Sequence, residues 1–182
     1  MTAASHTLDL TTIAISPLRD EFDLSRFCCG EQSLDSYITR RLKKAQSDNR
    51  VKVFCAHPRN SNSVYGLYHL SIIPVDAKFL MEEESKIAVE KHFHGIYLGT
   101  LAVLRHYHGQ KLGTFLLMDA LRRSYYVSQN VAIFGVALKS INNSTTELYK
   151  KYGFGLRNND QQPLMVLPIW TLNELIEKTK AK

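Results

Sequence analysis

The sequence lacks the features that mark several classes of protein. It has only three cysteines among 182 residues, Cys28, Cys29 and Cys55, and none of them form a Cys-x-x-Cys pair. An odd number without that spacing argues against both a disulfide framework and a zinc ribbon. No run approaches about 18 apolar residues, and the first residues are not a charged start followed by a long apolar stretch. The sequence therefore predicts neither a membrane span nor a signal peptide, and a cytoplasmic protein fits.

Several site patterns are missing as well. There is no Gly-x-Ser-x-Gly elbow, no Walker lysine loop, no internal repeat and no low-complexity tract. Two His-x-His pairs, His92/His94 and His106/His108, have no cluster of cysteines or carboxylates beside them, so we expect no metal site. The chemistry must come from other residues.

Size and charge set wide bounds on the protein. A chain of 182 residues with 45% hydrophobic content is long enough for one buried core, and we read it as one domain. Lysine and arginine number 23 against 17 acidic residues, for a formal charge of +6. This balance suits a polyanionic partner or an acidic cofactor.

The hydrophobic pattern predicts strands with helices between them. Predicted strands cover residues 8–15, 51–56, 64–73, 96–103 and 131–138, and predicted helices cover residues 31–46 and 112–127. Residues 76–92 are highly charged, and the pattern does not decide between a helix and a mobile excursion. The elements predict a single α/β or α+β domain with a mixed central β-sheet flanked by helices.

A glycine-bearing loop joins the strand 96–103 to the apolar helix 112–127. The first amides of a helix have no partner inside it, and the helix dipole is positive at that end. A pyrophosphate placed there meets several donors at once. The loop therefore predicts an anion site, although most such junctions only turn the chain.

A short helix follows the strand 131–138. Ser144 has the character of an N-cap with Glu147 as its capping-box partner, and Gly153 has that of a C-terminal stop. Tyr149 then lies on this helix. Its side chain is either a half-buried aromatic that closes the helix against the sheet or a catalytic phenol.

Strand, glycine loop, helix, strand and a short helix ending in Tyr-x-x-x-Gly-Phe at Tyr149 to Phe154 resemble the GNAT N-acetyltransferase superfamily, which binds acetyl-coenzyme A. The resemblance places the acetyl-CoA-binding core at about residues 96–154. The superfamily loop usually reads Gln/Arg-x-x-Gly-x-Gly/Ala, whereas this chain has His108, Lys111 and Gly113 at those places. A lysine adopts a left-handed backbone less readily than glycine. The side chain of Lys111 is either solvated or in contact with the pyrophosphate, and the sequence does not decide between the two.

Near the N-terminus, the run Phe27-Cys28-Cys29-Gly30-Glu31-Gln32-Ser33-Leu34-Asp35-Ser36-Tyr37-Ile38 is similar to the opening of the acetyltransferase toxins of bacterial toxin-antitoxin modules. Those toxins acetylate the α-amino group of aminoacyl-tRNA and so block translation. The resemblance then covers residues 1–182 as one N-acetyltransferase domain. The run Pro163-Leu164-Met165-Val166-Leu167-Pro168 also resembles the last strand of that group. The resemblance implies aminoacyl-tRNA and a cognate antitoxin of the ribbon-helix-helix type as partners, and a homodimer is possible.

The resemblance also implies roles for particular residues. Tyr149 would donate a proton to the departing thiolate of acetyl-CoA. The residues implied to bind the cofactor are Leu101, Ala102, Val103, His108, Gly109, Gln110, Lys111, Leu112, Gly113, Thr114 and Asn142. For Asn142 the alternative is an Asx turn that starts the helix. The basic residues that would meet tRNA phosphates are Arg40, Arg41, Lys43, Lys44, Arg122, Arg123, Lys139, Lys150 and Lys151, unless they are simply solvated helix faces.

The pKa values of amines indicate which kind of amine accepts the acetyl group. A lysine side chain titrates near about 10.4, whereas an α-amino group titrates near about 7.7 to 8.0 and is partly neutral without a base. Residues 95–103 contain no Asp or Glu, although many lysine-directed members of the superfamily have a glutamate on this strand. The absence favours an α-amine. A protein N-terminus or a small amine also qualifies, and a rival from another class is a non-catalytic coenzyme A-binding regulator.

Overall fold

The computed structural model describes residues 7–81, 84 and 92–180, which fall into two compact units. The first unit comprises Met1–Leu70 and Thr100–Ala120, and the second comprises Ser71–Gly99 and Leu121–Lys182.

The first unit is built on antiparallel strands. Strand β1 (Ile13–Pro17) pairs with β2 (Lys52–Pro58), and β2 pairs with the first half of β3 (Gly66–Asp76). Helices α1 (Gln32–Arg40) and α2 (Leu42–Ser47) lie between β1 and β2 in the chain. Their apolar faces belong to a buried cluster that also contains side chains of β2, β3 and the segment after β1: Leu18, Phe22, Leu24, Phe27, Ile38, Leu42, Ala45, Val51, Val53, Cys55, Val64, Leu67 and Ala102.

The second unit holds the remaining strand pairs. Strand β4 (His92–Val103) pairs in parallel with β5 (Gly135–Lys139) through Ile96↔Val136 and Tyr97↔Ala137. Strands β6 (Gly155–Leu156) and β7 (Leu164–Pro168) are antiparallel to each other, and β7 is antiparallel to β5.

The strands are hydrogen-bonded in the order β1-β2-β3-β4-β5-β7-β6. The sheet contains both parallel and antiparallel pairs, so the predicted mixed sheet is confirmed. The other helices are α3 (Leu112–Ser128), α4 (Asn143–Lys151) and α5 (Ile169–Lys180). None of the helices in the described ranges is long and apolar enough to cross a bilayer.

The helix predicted over residues 31–46 is two helices. Its predicted apolar stripe is confirmed, because Ile38, Leu42 and Ala45 are at most 3% exposed, while Leu34 and Tyr37 pack against the same cluster. The division falls at Arg41, whose backbone (φ −124°, ψ −26°) departs from helical geometry while its N–H still reaches the carbonyl of Tyr37. The sequence between the helices has no glycine or proline that would have marked the break.

The first predicted strand was placed too early. Residues Leu10–Thr12 form a 3₁₀ turn instead, and β1 begins at Ile13. Asp9 holds the turn, because its carboxylate accepts the N–H of Thr11 at 2.9 Å. A short polar side chain that bonds to the backbone two residues on competes with strand pairing, and here it prevails.

Helix α3 ends one residue beyond its prediction, and its predicted buried side is confirmed: Leu112, Leu116, Leu117, Ala120 and Leu121 are at most 1% exposed. Helix α5 had no counterpart in the prediction. Of the undecided charged segment, Ala77–Phe79 is a 3₁₀ turn and Glu84 is buried, while residues 82, 83 and 85–91 lie outside the described residues.

Candidate active site

The loop before α3 contains two residues with left-handed backbone. A 3₁₀ turn at Arg105–Tyr107 leads into residues 108–111, where Gly109 has φ +74° and Lys111 has φ +63°. Left-handed residues next to ordinary ones turn neighbouring amides toward one side and create a concavity for an anion. Lys111 therefore adopts the conformation for which the superfamily usually supplies glycine.

Helix α3 starts directly after this turn. The N–H of Phe115 donates to the carbonyl of Lys111 at 3.0 Å, so the amides of Leu112, Gly113 and Thr114 precede the first intrahelical bond. The buried Leu112 fixes the first turn on the core. A side chain at Gly113 would have Val103 Cγ2 as a neighbour at 3.8 Å, so this glycine is not demanded by tight packing.

Two predicted cofactor residues use their side chains within the protein. The Nε2–H of His108 donates to the carbonyl of Val103 at 2.9 Å. Gln110 accepts the N–H of Leu8 at 2.6 Å through Oε1, and its Nε2–H donates to the carbonyl of His106 at 3.2 Å. These side chains stabilise the loop, so any phosphate contact from it falls to the backbone and to Lys111.

The end of β4 carries the three residues expected to pair with the pantetheine arm. Leu101, Ala102 and Val103 follow Thr100, whose φ of +44° is foreign to a strand. A β-branched residue with positive φ is a strained outlier that breaks the regular ladder locally. The ladder between β4 and β5 ends before it, at Tyr97 and Ala137. Nothing in the sequence indicated the irregularity at Thr100.

Helix α4 is capped by Asn142 rather than by Ser144, which corrects the prediction. The Oδ1 of Asn142 accepts the N–H of Thr145 at 2.9 Å, and the hydroxyl of Thr145 accepts the N–H of Asn142 at 3.2 Å. Asparagine in extended backbone is a strong N-cap, and a threonine three residues on completes the reciprocal box. Glu147 instead pairs with Lys150 at 2.7 Å. The Asx alternative thus describes the cap, while a cofactor contact by Asn142 stays a prediction.

A buried hydroxyl cluster anchors the start of α4 and was not predicted. The hydroxyl of Thr146 donates to Ser140 Oγ at 2.7 Å, and Ser140 Oγ lies 2.8 Å from Thr145 Oγ1. Ser140 and Thr146 are buried. The cluster ties the helix to the end of β5, which fixes the rotation of α4 and the direction of Tyr149.

Tyr149 is buried on α4, with 8% of its surface exposed. Its ring packs against Phe154 with centroids 5.8 Å apart. Gly153 has φ +90°, and the N–H of Phe154 donates to the carbonyl of Tyr149 at 3.2 Å, so the predicted glycine stop is confirmed. Burial, with a smaller contribution from the phenol of Tyr97, raises the pKa of Tyr149 to about 12. The phenol therefore keeps its proton throughout the neutral range.

The structure thus groups the predicted residues into two sets. Residues 101–103 and 108–114 belong to the first unit, and Asn142 and Tyr149 lie on one helix of the second. Tyr97, which influences Tyr149, was missed because a tyrosine on a strand carries no signal of its own.

The basic residues proposed for tRNA differ in their engagement. Arg40 and Arg41 are exposed. Lys43 donates to the carbonyl of Asp20 at 3.0 Å, and Lys44 lies 3.1 Å from Asp48 in an exposed pair. Exposed pairs of this kind contribute little to stability and open readily. Among the residues that the structure describes, no three His, Cys, Asp or Glu side chains form a metal-binding group.

Comparison with known proteins identifies the fold. No family model matches the chain. A tyrosine-to-phenylalanine mutant of KacT is similar over 90% of this chain and 99% of its own, with a TM-score of 0.83 and 21% identity. AtaT complexed with acetyl-methionyl-tRNA is similar over 90% of this chain and 99% of its own, with a TM-score of 0.82 and 24% identity. An AtaT mutant toxin bound to the C-terminus of the antitoxin AtaR and to acetyl-CoA is similar over 91% of this chain and 98% of its own. Its TM-score is 0.76 and its identity is 24%. The GNAT-like fold expected from the sequence is confirmed.

Proposed function

We propose that the chain is an acetyl-CoA-dependent N-acetyltransferase toxin that acetylates the α-amino group of aminoacyl-tRNA and blocks translation. The observation that carries the proposal is the fold shared along 90% of the chain with AtaT, whose structure contains acetyl-methionyl-tRNA. The loop and helix that the sequence assigned to the cofactor have a geometry that suits an anion. The chain would act as one domain over residues 1–182, in the cytoplasm.

The acetyl-CoA diphosphate would lie against the backbone of residues 108–114. The left-handed Gly109 and Lys111 turn the loop, and the first amides of α3 add donors with the positive end of the helix dipole. The side chain of Lys111 is exposed and can contribute its charge. The backbone of Leu101, Ala102 and Val103 would hold the pantetheine arm, and Asn142 is kept as a proposed cofactor contact.

Acyl transfer forms an amide C–N bond and breaks the thioester C–S bond. The neutral α-amine attacks the thioester carbon, a backbone N–H of residues 101–103 would stabilise the oxyanion, and the amine releases its extra proton to water. Tyr149 would supply the proton that the departing thiolate takes up, and then recover one from solvent. A thiolate in buried surroundings also has a raised pKa, which reduces the mismatch with a phenol at about 12.

The cognate antitoxin is proposed from the same likeness, because AtaT binds the C-terminus of AtaR. We propose a ribbon-helix-helix antitoxin and leave a homodimer as a further proposal. The exposed face of α1 and α2, with Arg40 and Arg41, is a candidate surface for tRNA phosphates. Binding there should weaken steeply with salt because phosphate contacts release counterions.

Labelled acetyl-CoA separates the acceptors. The protein is incubated with charged tRNA, with deacylated tRNA and with a peptide that has a free N-terminus. Label on charged tRNA alone supports the proposal, whereas label on the peptide and not on charged tRNA rejects it in favour of a protein N-terminus or a small amine. Absence of transfer to any acceptor, with acetyl-CoA still bound, indicates a non-catalytic regulator.

Replacing Tyr149 by phenylalanine tests the proton donor. We expect Tyr149→Phe to lower the rate by roughly 10²- to 10⁴-fold, the usual range for loss of a general acid, with acetyl-CoA binding retained. The matched control is Tyr152→Phe, which removes a hydroxyl from a half-buried tyrosine at the end of the same helix. Equal rates for both variants would remove Tyr149 from its assigned role.

A further inference from the structure

A cavity of about 470 Å³ lies next to strand β6, within the second unit. This volume is in the range of sites that take small molecules or a few residues of a peptide. Its walls include Gly155, Arg157 and Trp170, together with Met81 and Glu84. None of these residues was assigned a role in acyl transfer.

Arg157 and Glu84 form a buried ion pair at this cavity. Their side chains are 2% and 7% exposed, and Arg157 Nη2 donates to Glu84 Oε1 at 2.6 Å. The other carboxylate oxygen, Oε2, accepts the N–H of Met81 at 2.8 Å. Both oxygens of Glu84 are therefore already engaged.

The guanidinium has donors left over. Arg157 Nε and Nη1 are buried and have no hydrogen-bond acceptor among the described residues. Buried donors are nearly always paired in native proteins, and leaving them unpaired is destabilising. The two nitrogens thus specify what a ligand has to bring, namely oxygen acceptors.

The charge of the pair indicates which oxygens these are. Arg157 and Glu84 compensate each other, so a carboxylate ligand would add an uncompensated negative charge to a buried place. An uncharged carbonyl satisfies the same donors without that cost. The cavity therefore favours carbonyl oxygens such as those of a peptide main chain.

The sheet edge beside the cavity offers a second peptide-like contact. Among the strands of the described residues, β6 is last in the order and has β7 as its single neighbour. The N–H of Arg157 donates to the carbonyl of Leu164, so the pair Leu156↔Met165 next to it is of the non-hydrogen-bonded kind. The N–H and C=O of Leu156 consequently point away from β7, toward the open edge, where an extended peptide can pair with them.

Gly155 leaves room for such a peptide. A Cβ at this position would lie in van der Waals contact with the guanidinium, 3.6 Å from Arg157 Nη1 and 3.7 Å from its Cζ, so the absence of a side chain leaves space beside this buried group. Trp170 is 38% exposed at the same cavity and presents an aromatic surface.

We propose that this cavity and the edge of β6 bind an extended segment of a partner protein, which pairs with Leu156 and inserts main-chain carbonyl oxygens that accept from Arg157. The site is independent of acyl transfer. Peptide binding is tested without acetyl-CoA or tRNA. A failure to bind peptide would therefore leave the proposed acetyltransferase function standing, and a failure of acetyl transfer would leave the peptide site standing.

The probe is a blocked, uncharged tetrapeptide of alternating valine and glycine. Trp170 is the only tryptophan of the chain, so its fluorescence reports on the cavity directly. The NMR signal of the Arg157 Nε–H reports on the donor itself. We expect both signals to change saturably, and we expect the same peptide with methylated amides to bind at least tenfold more weakly.

Two variants separate recognition from folding. Arg157→Lys keeps a cation beside Glu84 but removes the unpaired donors, and Gly155→Val fills the space above the guanidinium. Each should weaken peptide binding at least tenfold, whereas Arg59→Lys, an exposed arginine in the first unit, should not. Melting curves identify any variant that fails to fold, and the Arg157 Nε–H signal in the unaltered protein tests peptide binding without any substitution.

Three results would overturn the proposal. One is the absence of any saturable change in the Arg157 Nε–H signal up to the solubility limit of the peptide. Another is unchanged affinity in a folded Arg157→Lys protein. The third is equal binding by acetate at matched ionic strength, which would make the cavity a simple anion site.

Discussion

Acid should destabilise this protein through one buried histidine, His69 on β3. Its side chain is buried, with 6% of the residue exposed, and desolvation lowers its pKa from 6.5 to about 4. In the unfolded chain the same imidazole is hydrated and takes up a proton near its ordinary pKa. Below pH 6.5 the unfolded state therefore binds more protons than the folded state, and the free energy of unfolding decreases as the pH falls toward 4.

The size of this effect follows from the two pKa values. A pKa of 6.5 in the unfolded chain and about 4 in the folded protein corresponds to a loss of about 3 kcal/mol in the free energy of unfolding. This full loss is reached only when the pH lies below both pKa values. Between pH 7.5 and pH 5 the same two values give a loss of about 2 kcal/mol. With a urea slope of about 2 kcal/mol per molar, the unfolding midpoint should fall by about 1 M.

Urea unfolding at pH 7.5 and pH 5 measures this loss. The perturbation is His69→Phe, which keeps an aromatic ring near Tyr37, whose ring centroid lies 6.1 Å from that of His69. The variant loses whatever hydrogen bond the imidazole makes, so its absolute stability is not compared. What is compared is the change between the two pH values, which should be about 2 kcal/mol smaller in the variant than in the parent protein.

The matched control is His106→Gln, because His106 is exposed and its replacement removes no buried group. The control should lose as much stability between pH 7.5 and pH 5 as the parent protein. If His69→Phe also loses as much as the parent, the burial of His69 does not govern its protonation, and the reasoning from desolvation is wrong.

Three further predictions concern the candidate site. Lys111→Gly relieves a left-handed lysine and should change stability by no more than about 1 kcal/mol, toward stabilisation, while weaker acetyl-CoA binding in calorimetry would show that the ammonium contacts the diphosphate. Asn142→Ala should cost about 1 kcal/mol in thermal unfolding, whereas Ser144→Ala should cost almost nothing, because Asn142 is the cap. The rate of acetyl transfer should rise with pH through the α-amine pKa of about 7.7 to 8.0 and show no decline linked to Tyr149, whose pKa of about 12 keeps it protonated.

Periodicity located the elements that are amphipathic and regular. The buried stripe of α3 was predicted nearly to the residue, because its apolar spacing follows directly from which face is buried. The strand at Leu164–Pro168 was expected from the resemblance alone, because all of its residues are buried and they show no alternation. The glycine stop at Gly153 was equally readable, because only glycine adopts that backbone cheaply.

The errors arose where two local arrangements compete. Asn142 and Ser144 are both good N-caps, and the choice between them depends on Thr145 and on the buried hydroxyl of Ser140, which is contributed by the preceding strand. Likewise, the apolar pattern of residues 31–46 is continuous, and the break at Arg41 is seen only in its backbone angles. Sequence spacing contains neither contribution.

Two left-handed non-glycine residues lie in or next to the segments that are proposed to bind the cofactor. Among the described residues, the non-glycine residues with positive φ are Asn49, Thr100 and Lys111. Asn49 lies in the turn after α2, where asparagine tolerates this conformation well. Thr100 and Lys111 are costly choices, at about 1 kcal/mol or more each. Thr100 directly precedes residues 101–103 and Lys111 lies within residues 108–114, the two segments proposed to hold the acyl carrier. A turn needed only for folding would be satisfied by glycine at lower cost. We therefore propose that the strain at these two places is kept because a ligand uses the backbone shape they enforce.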